Sequence, residues 1–402
     1  MDGDNRMHVV YVSFEYPGLT EYGGVGRYTE EMATQLVLCG HFPHVLVVDK
    51  RRTGEEIDVD GVAIHYINIT SMHWYATKIP LLGSIIAGAL LELERSFAVL
   101  KAVKNLVSCR KCDIVEVSET SGLFLTMSRC AVPVVLRLHG ELYTVNKMTP
   151  PHRSKAAISL RRLIQRFAIG RASLLTSPSN GHYKMIREEI IGRLPECKVV
   201  PNMIRGDLFN AERKYELVEN SIIYVGGLSK SKGLRIALEM VDILQKSISD
   251  VKLYIAGVDP EQFVSDECYP EYQHLIKHTV FLGRLKFDEL IRKYQSTKVC
   301  VIPSYYETFS YVALEAMSSG CVVVASNTGG LSELIEDGIS GLLVQPGKSE
   351  QFASSCNALL ENEALRACIS ESGRKRAKQY YSSEISKSII SLYRNVVEIA
   401  TM

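Results

Sequence analysis

His8-Val9-Val10-Tyr11-Val12-Ser13-Phe14-Glu15, a break over residues 17–24 containing Pro17, Gly18, Gly23 and Gly24, and then Tyr28, Met32, Leu36 and Cys39 at helical spacing: this stretch decides the fold. An apolar run bounded by turn residues reads as a buried strand, and the 3.6-residue period after it reads as an amphipathic helix. Residues 44–49 are apolar again. Strand, glycine loop, helix and strand form a βαβ unit, in which a crossover helix joins two parallel strands. Gly23 and Gly24 let main chain approach a ligand closely, and Gly26 with Arg27 opens the helix beneath them, where unpaired N–H groups favour anions. A plain tight turn uses the same glycines. A dinucleotide fingerprint is a third reading, because Gly24-Val25-Gly26 follows a strand and Asp49 ends the next one. Its third glycine position, however, holds Thr29.

Outward from this unit, residues 113–117, 132–138 and 172–177 read as further buried strands separated by helical segments, so the first half is a doubly wound α/β domain. After Pro201-Asn202 the chain is irregular and polar, and apolar strands resume at 221–225, 251–256, 279–282, 298–303, 321–325 and 341–344. The 402 residues exceed what one core holds, about 250–300. The division is therefore residues 1–205 and 206–378 as two Rossmann-like domains, with 379–402 as a terminal amphipathic helix that can pack back on the first. Two such domains in tandem are expected to face each other across a cleft at the carboxyl ends of their strands.

Composition excludes several classes. Lysine and arginine total 46 against 45 acidic residues, so no global field draws the chain to nucleic acid. The start lacks the apolar core of a signal peptide and residues 79–91 are too short to span a bilayer, so a cytoplasmic setting is expected. Ten cysteines, mostly beside apolar residues as in Cys300-Val301-Ile302, read as buried thiols in a reducing compartment. Cys109-Arg110-Lys111-Cys112 has metal-site spacing but only Cys130 as a nearby third ligand, and no metal is assigned. Residues 153–171 carry six basic residues with Leu160, Leu163, Ile164 and Phe167 on one face; this admits peripheral membrane contact or, more plainly, a solvated basic helix. Residues 74–91 are apolar enough for a hydrophobic acceptor or for core.

The chemistry concentrates in residues 298–346, around Pro303-Ser304-Tyr305-Tyr306-Glu307-Thr308-Phe309-Ser310-Tyr311-Val312-Ala313-Leu314-Glu315-Ala316-Met317. Glu307 sits in the loop after a strand and Glu315 on the following helix, read as starting near Phe309. The N–H groups of Phe309, Ser310 and Tyr311 would crown that helix with partial positive charge suited to sugar hydroxyls or a diphosphate. Two carboxylates can accept from vicinal hydroxyls on either side. An ordinary strand-to-helix connection with two surface acids has the same spacing.

The stretch resembles the signature of glycosyltransferase family 4, the retaining GT-B enzymes. The resemblance continues through residues 320–326, Gly329-Gly330, Glu333-Leu334-Ile335, Asp337-Gly338, Gly341 and Pro346. It also takes in Gly23-Gly24-Val25-Gly26, Leu138-His139-Gly140, Ser177 and Pro201-Asn202, so it covers essentially the whole chain. It implies a nucleotide diphosphate-sugar as co-substrate, with no separate cofactor, and a small-molecule or glycan acceptor on the first domain. It further implies that Glu307 contacts hydroxyls of a donor hexose, Glu315 the ribose, and the amides around Phe309 and Ser310 the sugar. His139 would lie beside the transferred hexose, its main-chain carbonyl mattering alongside its ring.

Tyr224-Val225-Gly226-Gly227-Leu228-Ser229-Lys230-Ser231-Lys232-Gly233 resembles the family's diphosphate loop, in which an arginine and a lysine neutralise the leaving group. Lys232 matches the lysine; Gly227 stands where the arginine belongs, leaving Lys230 or Arg205 as substitutes. Thr308 and Ser310 stand where the family often has glycine, which points to a role in donor choice. Front-side substitution is expected, the phosphate taking the acceptor proton. The Asp-x-Asp at Asp58-Val59-Asp60 falls in a polar turn of the first domain, so a metal is not required. Two other readings stay open: a nucleotide-sugar binding protein without turnover, and an NAD(P)-dependent oxidoreductase using residues 24–49.

Overall fold

In the computed structural model, which describes residues 6–19, 23–49, 52–69, 72–79, 83–119, 123–127, 132–140, 155–190, 192, 194–209, 215–265 and 270–401, the opening unit runs β1 (His8–Val12), α1 (Gly24–Leu38) and β2 (Phe42–Val48). Strands β1 and β2 pair in parallel with Val10 opposite His44. The first compact unit is residues 1–203 together with 382–402, and the second is residues 204–381.

The first unit adds β3 (Glu56–Val59), β4 (Val62–Ile67), α2 (Gly83–Ser108), β5 (Ile114–Ser118), β6 (Val134–Arg137), α3 (Lys155–Ile169), β7 (Leu174–Ser177), α4 (Asn180–Glu189) and β8 (Cys197–Val199). The strand order is β3-β4-β2-β1-β5-β6-β7-β8, and β3 alone is antiparallel, to β4. Val9, Val10 and Tyr11 are buried whichever face they point to, because helices cover both faces of the sheet. The Asp58-Val59-Asp60 segment differs from the expected turn: Asp58 and Val59 belong to β3, and only Asp60 and Gly61 turn, at φ 52° and 84°. Positive φ at both central residues is the two-residue hairpin geometry that matches strand twist, and Asp-Gly is its usual sequence. Three imidazoles cross β1, β2 and β4: His8 Nδ1 lies 3.0 Å from His44 Nε2, and His44 Nδ1 lies 2.9 Å from His65 Nε2.

The second unit is wholly parallel: β9 (Ser221–Val225), α5 (Leu234–Leu244), β10 (Lys252–Ala256), β11 (Thr279–Gly283), α6 (Phe287–Ser296), β12 (Val299–Ile302), α7 (Tyr311–Ser318), β13 (Val322–Ser326), β14 (Leu342–Val344), α8 (Ser349–Glu361) and α9 (Glu363–Lys378), in the order β11-β10-β9-β12-β13-β14. Successive residues of a strand enter different cores. Val299, Val301, Val322 and Val324 pack with Phe352 and Leu359 of α8. Cys300, Ile302, Val323 and Ala325 pack with Leu314 and Met317 of α7. Each fully buried valine or leucine contributes about 1.5–3 kcal/mol relative to exposure, which is why these strands read as unbroken apolar runs.

The terminal helix α10 (Ser382–Thr401) belongs to the first unit. Its inward face is Ser382, Ser386, Ile389, Ile390 and Tyr393, more polar than the apolar face expected of residues Ile385, Ile389, Leu392, Tyr393 and Val396 at helical spacing. Its polar groups have partners: Ser382 Oγ donates to Glu31 Oε2 at 2.9 Å, and Tyr393 OH donates to Glu116 Oε2 at 2.8 Å. Burial pushes the Glu116 carboxyl up, opposed by the Arg137 guanidinium. On α3, Ala168 and Ile169 are buried while Leu163 and Phe167 are exposed. Trp74 and Tyr75 are likewise exposed, so they are not core. Cys109 is exposed and Cys112 buried; Cys130 lies outside the described residues. Among the described residues no helix is long and apolar enough to cross a membrane.

Candidate active site

Parallel strands bring their carboxyl ends to one edge of the second sheet, so the loops after β9, β12 and β13 are neighbours although far apart in sequence. Glycine decides how close they come. Gly233 has φ 71°, and a Cβ there would lie 2.0 Å from the Pro303 carbonyl oxygen. Gly329 has φ 50°, and its Cβ would lie 2.1 Å from the Glu307 carbonyl oxygen. The same main chain is tied by Tyr305 N–H to Ser231 O at 2.8 Å and Gly330 N–H to Glu307 O at 2.7 Å.

This packing brings two predicted residues together. Lys232 Nζ donates to Glu307 Oε1 at 2.8 Å, and Ser304 Oγ donates to the same oxygen at 2.8 Å. The Glu307 side chain is 12% exposed and that of Lys232 42%, so the acid is fixed in the loop wall while the ammonium reaches into solvent. Such an ion pair contributes little stability where one partner is this exposed. Gly227 is exposed with nothing within 4 Å of a built Cβ, and its carbonyl accepts from Tyr224 OH at 3.0 Å. Lys230 is exposed and Arg205 half-buried.

Helix α7 begins at Tyr311, two residues later than the sequence suggests, because Ser310 is its N-cap and its Oγ accepts from Ala313 N–H at 3.3 Å. The Ser310 hydroxyl thus completes the helix end. Phe309 is buried against Tyr311 and Tyr380, leaving its main chain as the part that can serve a ligand. Thr308 is half-buried. Glu315 is 1% exposed and accepts from Tyr294 OH of α6 at 3.1 Å.

In the first unit, Gly23 N–H and Gly26 N–H both donate to Glu15 Oε2, at 2.8 and 3.3 Å. Gly24 opens α1, and Thr29 is buried with Oγ1 donating to Val25 O at 3.0 Å. His139 is half-buried, its ring edge-on to Tyr28 at 5.6 Å between centroids. Burial, then the nearby Arg137 and His182, hold its imidazole well below the usual range, so it is neutral at pH 7. Arg137 is fully buried over the Tyr28 ring and donates Nη2 to Asn202 Oδ1 at 2.7 Å. Sequence reading missed Glu15, Glu119, Arg137 and Ser304. Glu15 and Glu119 follow shortly after apolar strands, a position that could have marked them.

Two α/β units, one all-parallel and one with a single antiparallel edge strand, are the architecture of a GT-B glycosyltransferase. Sucrose-phosphate synthase from Thermosynechococcus elongatus matches 98% of this chain and 100% of its own with TM-score 0.78 at 20% identity. HepE of Anabaena, solved in complex with UDP-glucose, matches 97% and 100% with TM-score 0.69 at 17% identity. The chain belongs to glycosyltransferase family 4: the family description Glycosyltransferase Family 4 matches residues 22–207 and Glycosyl transferases group 1 matches residues 209–376. A protein of Methanocaldococcus jannaschii described as an uncharacterized glycosyltransferase is 27% identical over 98% of this chain and 99% of its own. Membership removes the oxidoreductase reading of residues 24–49, and the buried Thr29 and the Glu15 clamp are the local reasons that stretch is not a dinucleotide loop.

Proposed function

We propose that the chain transfers a hexose, with retention, from a nucleotide diphosphate-sugar to a hydroxyl of a small-molecule or glycan acceptor. The observation that carries this is the Lys232–Glu307 pair held by Ser304 where the β9 and β12 loops meet. A donor diphosphate would draw the exposed Lys232 ammonium off Glu307, freeing the carboxylate for the hydroxyls of the sugar. The charge now neutralised inside the protein would then neutralise the leaving group. Amides around Phe309 and Ser310 add partial positive charge. Glu315 is assigned to the ribose and His139 to the hexose; Gly23 and Gly24 are assigned to close main-chain approach.

In the step itself the acceptor oxygen bonds to the anomeric carbon as the bond from that carbon to the phosphate oxygen breaks, and the acceptor proton passes to the departing phosphate. Glycoside and nucleoside diphosphate are the products, and Lys232 with the helix-end amides carries the developing charge without calling on a metal. UDP-glucose, bound in the HepE structure, is the first donor to try. The test is a thermal-shift and calorimetric screen of wild type, Lys232→Ala and Glu307→Gln with UDP, GDP, ADP, TDP, their sugars and NAD(P). Selective stabilisation by one nucleoside diphosphate, lost in Lys232→Ala, supports the reading; stabilisation by none of them removes it.

A second reading, donor binding without turnover, is favoured by Gly227 standing where the resemblance places an arginine, with no described atom within 4 Å of a Cβ built there. Donor binding without product in a screen of sugar and polyol acceptors would select it. We further propose a cytoplasmic protein. Peripheral membrane contact would be through exposed Leu163 and Phe167; co-sedimentation with anionic vesicles, abolished by Leu163→Ser with Phe167→Ser, tests it.

A further inference from the structure

We infer that Glu119 is a positioning residue for the His139 loop, fixing the direction of the peptide plane that carries the His139 carbonyl. The inference rests on the proposed assignment of that loop to the transferred sugar. Ser118 pairs with Arg137 across β5 and β6, so the residue after β5 lies beside the loop after β6. Glu119 is 2% exposed, and its two oxygens divide between successive amides: His139 N–H donates to Oε2 at 3.0 Å and Gly140 N–H to Oε1 at 2.7 Å. A buried carboxylate is costly unless hydrogen-bonded, and bonds to a charged acceptor are the stronger kind. Gly140 has φ 88°, in the left-handed region that helps consecutive N–H groups converge on one anion.

Peptide planarity turns this clamp into a functional device. In a trans peptide the N–H and the C=O point to opposite sides. With Gly140 N–H directed at Glu119, the His139 carbonyl is directed away from the carboxylate. The loop therefore offers a carbonyl and a neutral imidazole, groups suited to sugar hydroxyls and to positive charge developing at an anomeric carbon. Its amides, which would otherwise attract a phosphate, are engaged by an internal anion.

Glu15 provides the internal control. It serves two amides with one oxygen, Oε2, whereas Glu119 needs both. Glutamine keeps one acceptor oxygen and replaces the other with a donor. Glu119→Gln must therefore lose one amide bond and face N–H against NH₂, while Glu15→Gln can keep both of its bonds. Aspartate at residue 119 keeps two oxygens on a shorter arm.

Hydrogen exchange followed by mass spectrometry needs no substrate. Exchange in peptides covering residues 138–140 should rise about tenfold or more in Glu119→Gln and much less in Glu119→Asp, while exchange at residues 23–26 in Glu15→Gln stays within about threefold of wild type. In transfer assays kcat should fall about tenfold or more in Glu119→Gln with the donor KM unchanged, and recover partly in Glu119→Asp. Unchanged exchange at residues 138–140, or wild-type kcat, in Glu119→Gln overturns the inference. Should that variant fail to fold, Glu119→Asp decides: a reduced kcat at unchanged donor KM supports it, and wild-type kcat overturns it. If wild type binds no nucleoside diphosphate, the donor reading fails on its own, and the exchange result alone judges Glu119.

Discussion

The two units build their loops by opposite means. In the second, glycines let three loops close on one another, and the groups offered are side chains, Lys232 and Glu307, set against that packed main chain. In the first, buried or half-buried carboxylates, Glu119 and Glu15, hold the amides, and the group offered is the main chain itself. The difference teaches where each unit is vulnerable. On the proposed assignment, chemistry in the second unit would be lost by removing a charge, and geometry in the first by removing an acceptor oxygen.

The largest effect that sharpens this comparison is on catalysis. Lys232→Ala and Glu307→Ala should each lower kcat/KM for transfer by about a hundredfold or more, as expected for a group aimed at developing charge, with little change in melting temperature. Comparable melting losses in both variants would break the comparison by making the pair a structural one. Next comes stability: Gly233→Ala should cost about 2–3 kcal/mol or more, since its φ is 71° and the added Cβ would meet the Pro303 carbonyl at 2.0 Å. Gly227→Ala, in open space, should stay within about 0.5 kcal/mol by chemical denaturation.

A third effect separates the units by pH. Burial, with His65, His8 and Lys111 nearby, lowers His44 from 6.5 to about 3, and burial also lowers His65, whose partial counterweight is Glu56. Asp113, which accepts from His8 N–H, is the other acid beside this stack. Because the folded value lies below the unfolded one, the stabilisation is fully present above about pH 6.5 and is lost as pH falls toward 3. Amide exchange should therefore open β1, β2 and β4 before the second unit on acidification, and His44→Gln should flatten that dependence. The smallest effect is expected from Gly227→Arg, which places a cation in open space in the loop proposed to meet the diphosphate: severalfold tighter nucleoside diphosphate binding or faster turnover, read by calorimetry and steady-state rates.

Much of this was legible in residues taken singly. Val299 to Ala325 alternates between two cores, so its strands had to be apolar throughout, and a reader of the sequence sees them at once. Lys232 and Glu307 were also legible, each inside a stretch resembling a known family. The β3–β4 hairpin was not, although Asp60-Gly61 is its signal, because Asp58-Val59-Asp60 drew attention as a metal motif. Ser310 was read as a donor-selecting hydroxyl; its part in completing a helix end, by accepting from Ala313 N–H, was not legible, because the helix start was read two residues too early.

By itself the sequence determined the two α/β halves, the succession of strands and helices, and the residue types at the loops, because periodicity, turn chemistry and apolar runs are local properties of the chain. Only the tertiary structure decided that Lys232 meets Glu307, that Glu119 lies under His139, and that α10 joins the first unit through Tyr393 and Glu116. Those contacts join residues 75, 20 and 277 positions apart, and strand order, which no local pattern encodes, is what brings them within a hydrogen bond of one another.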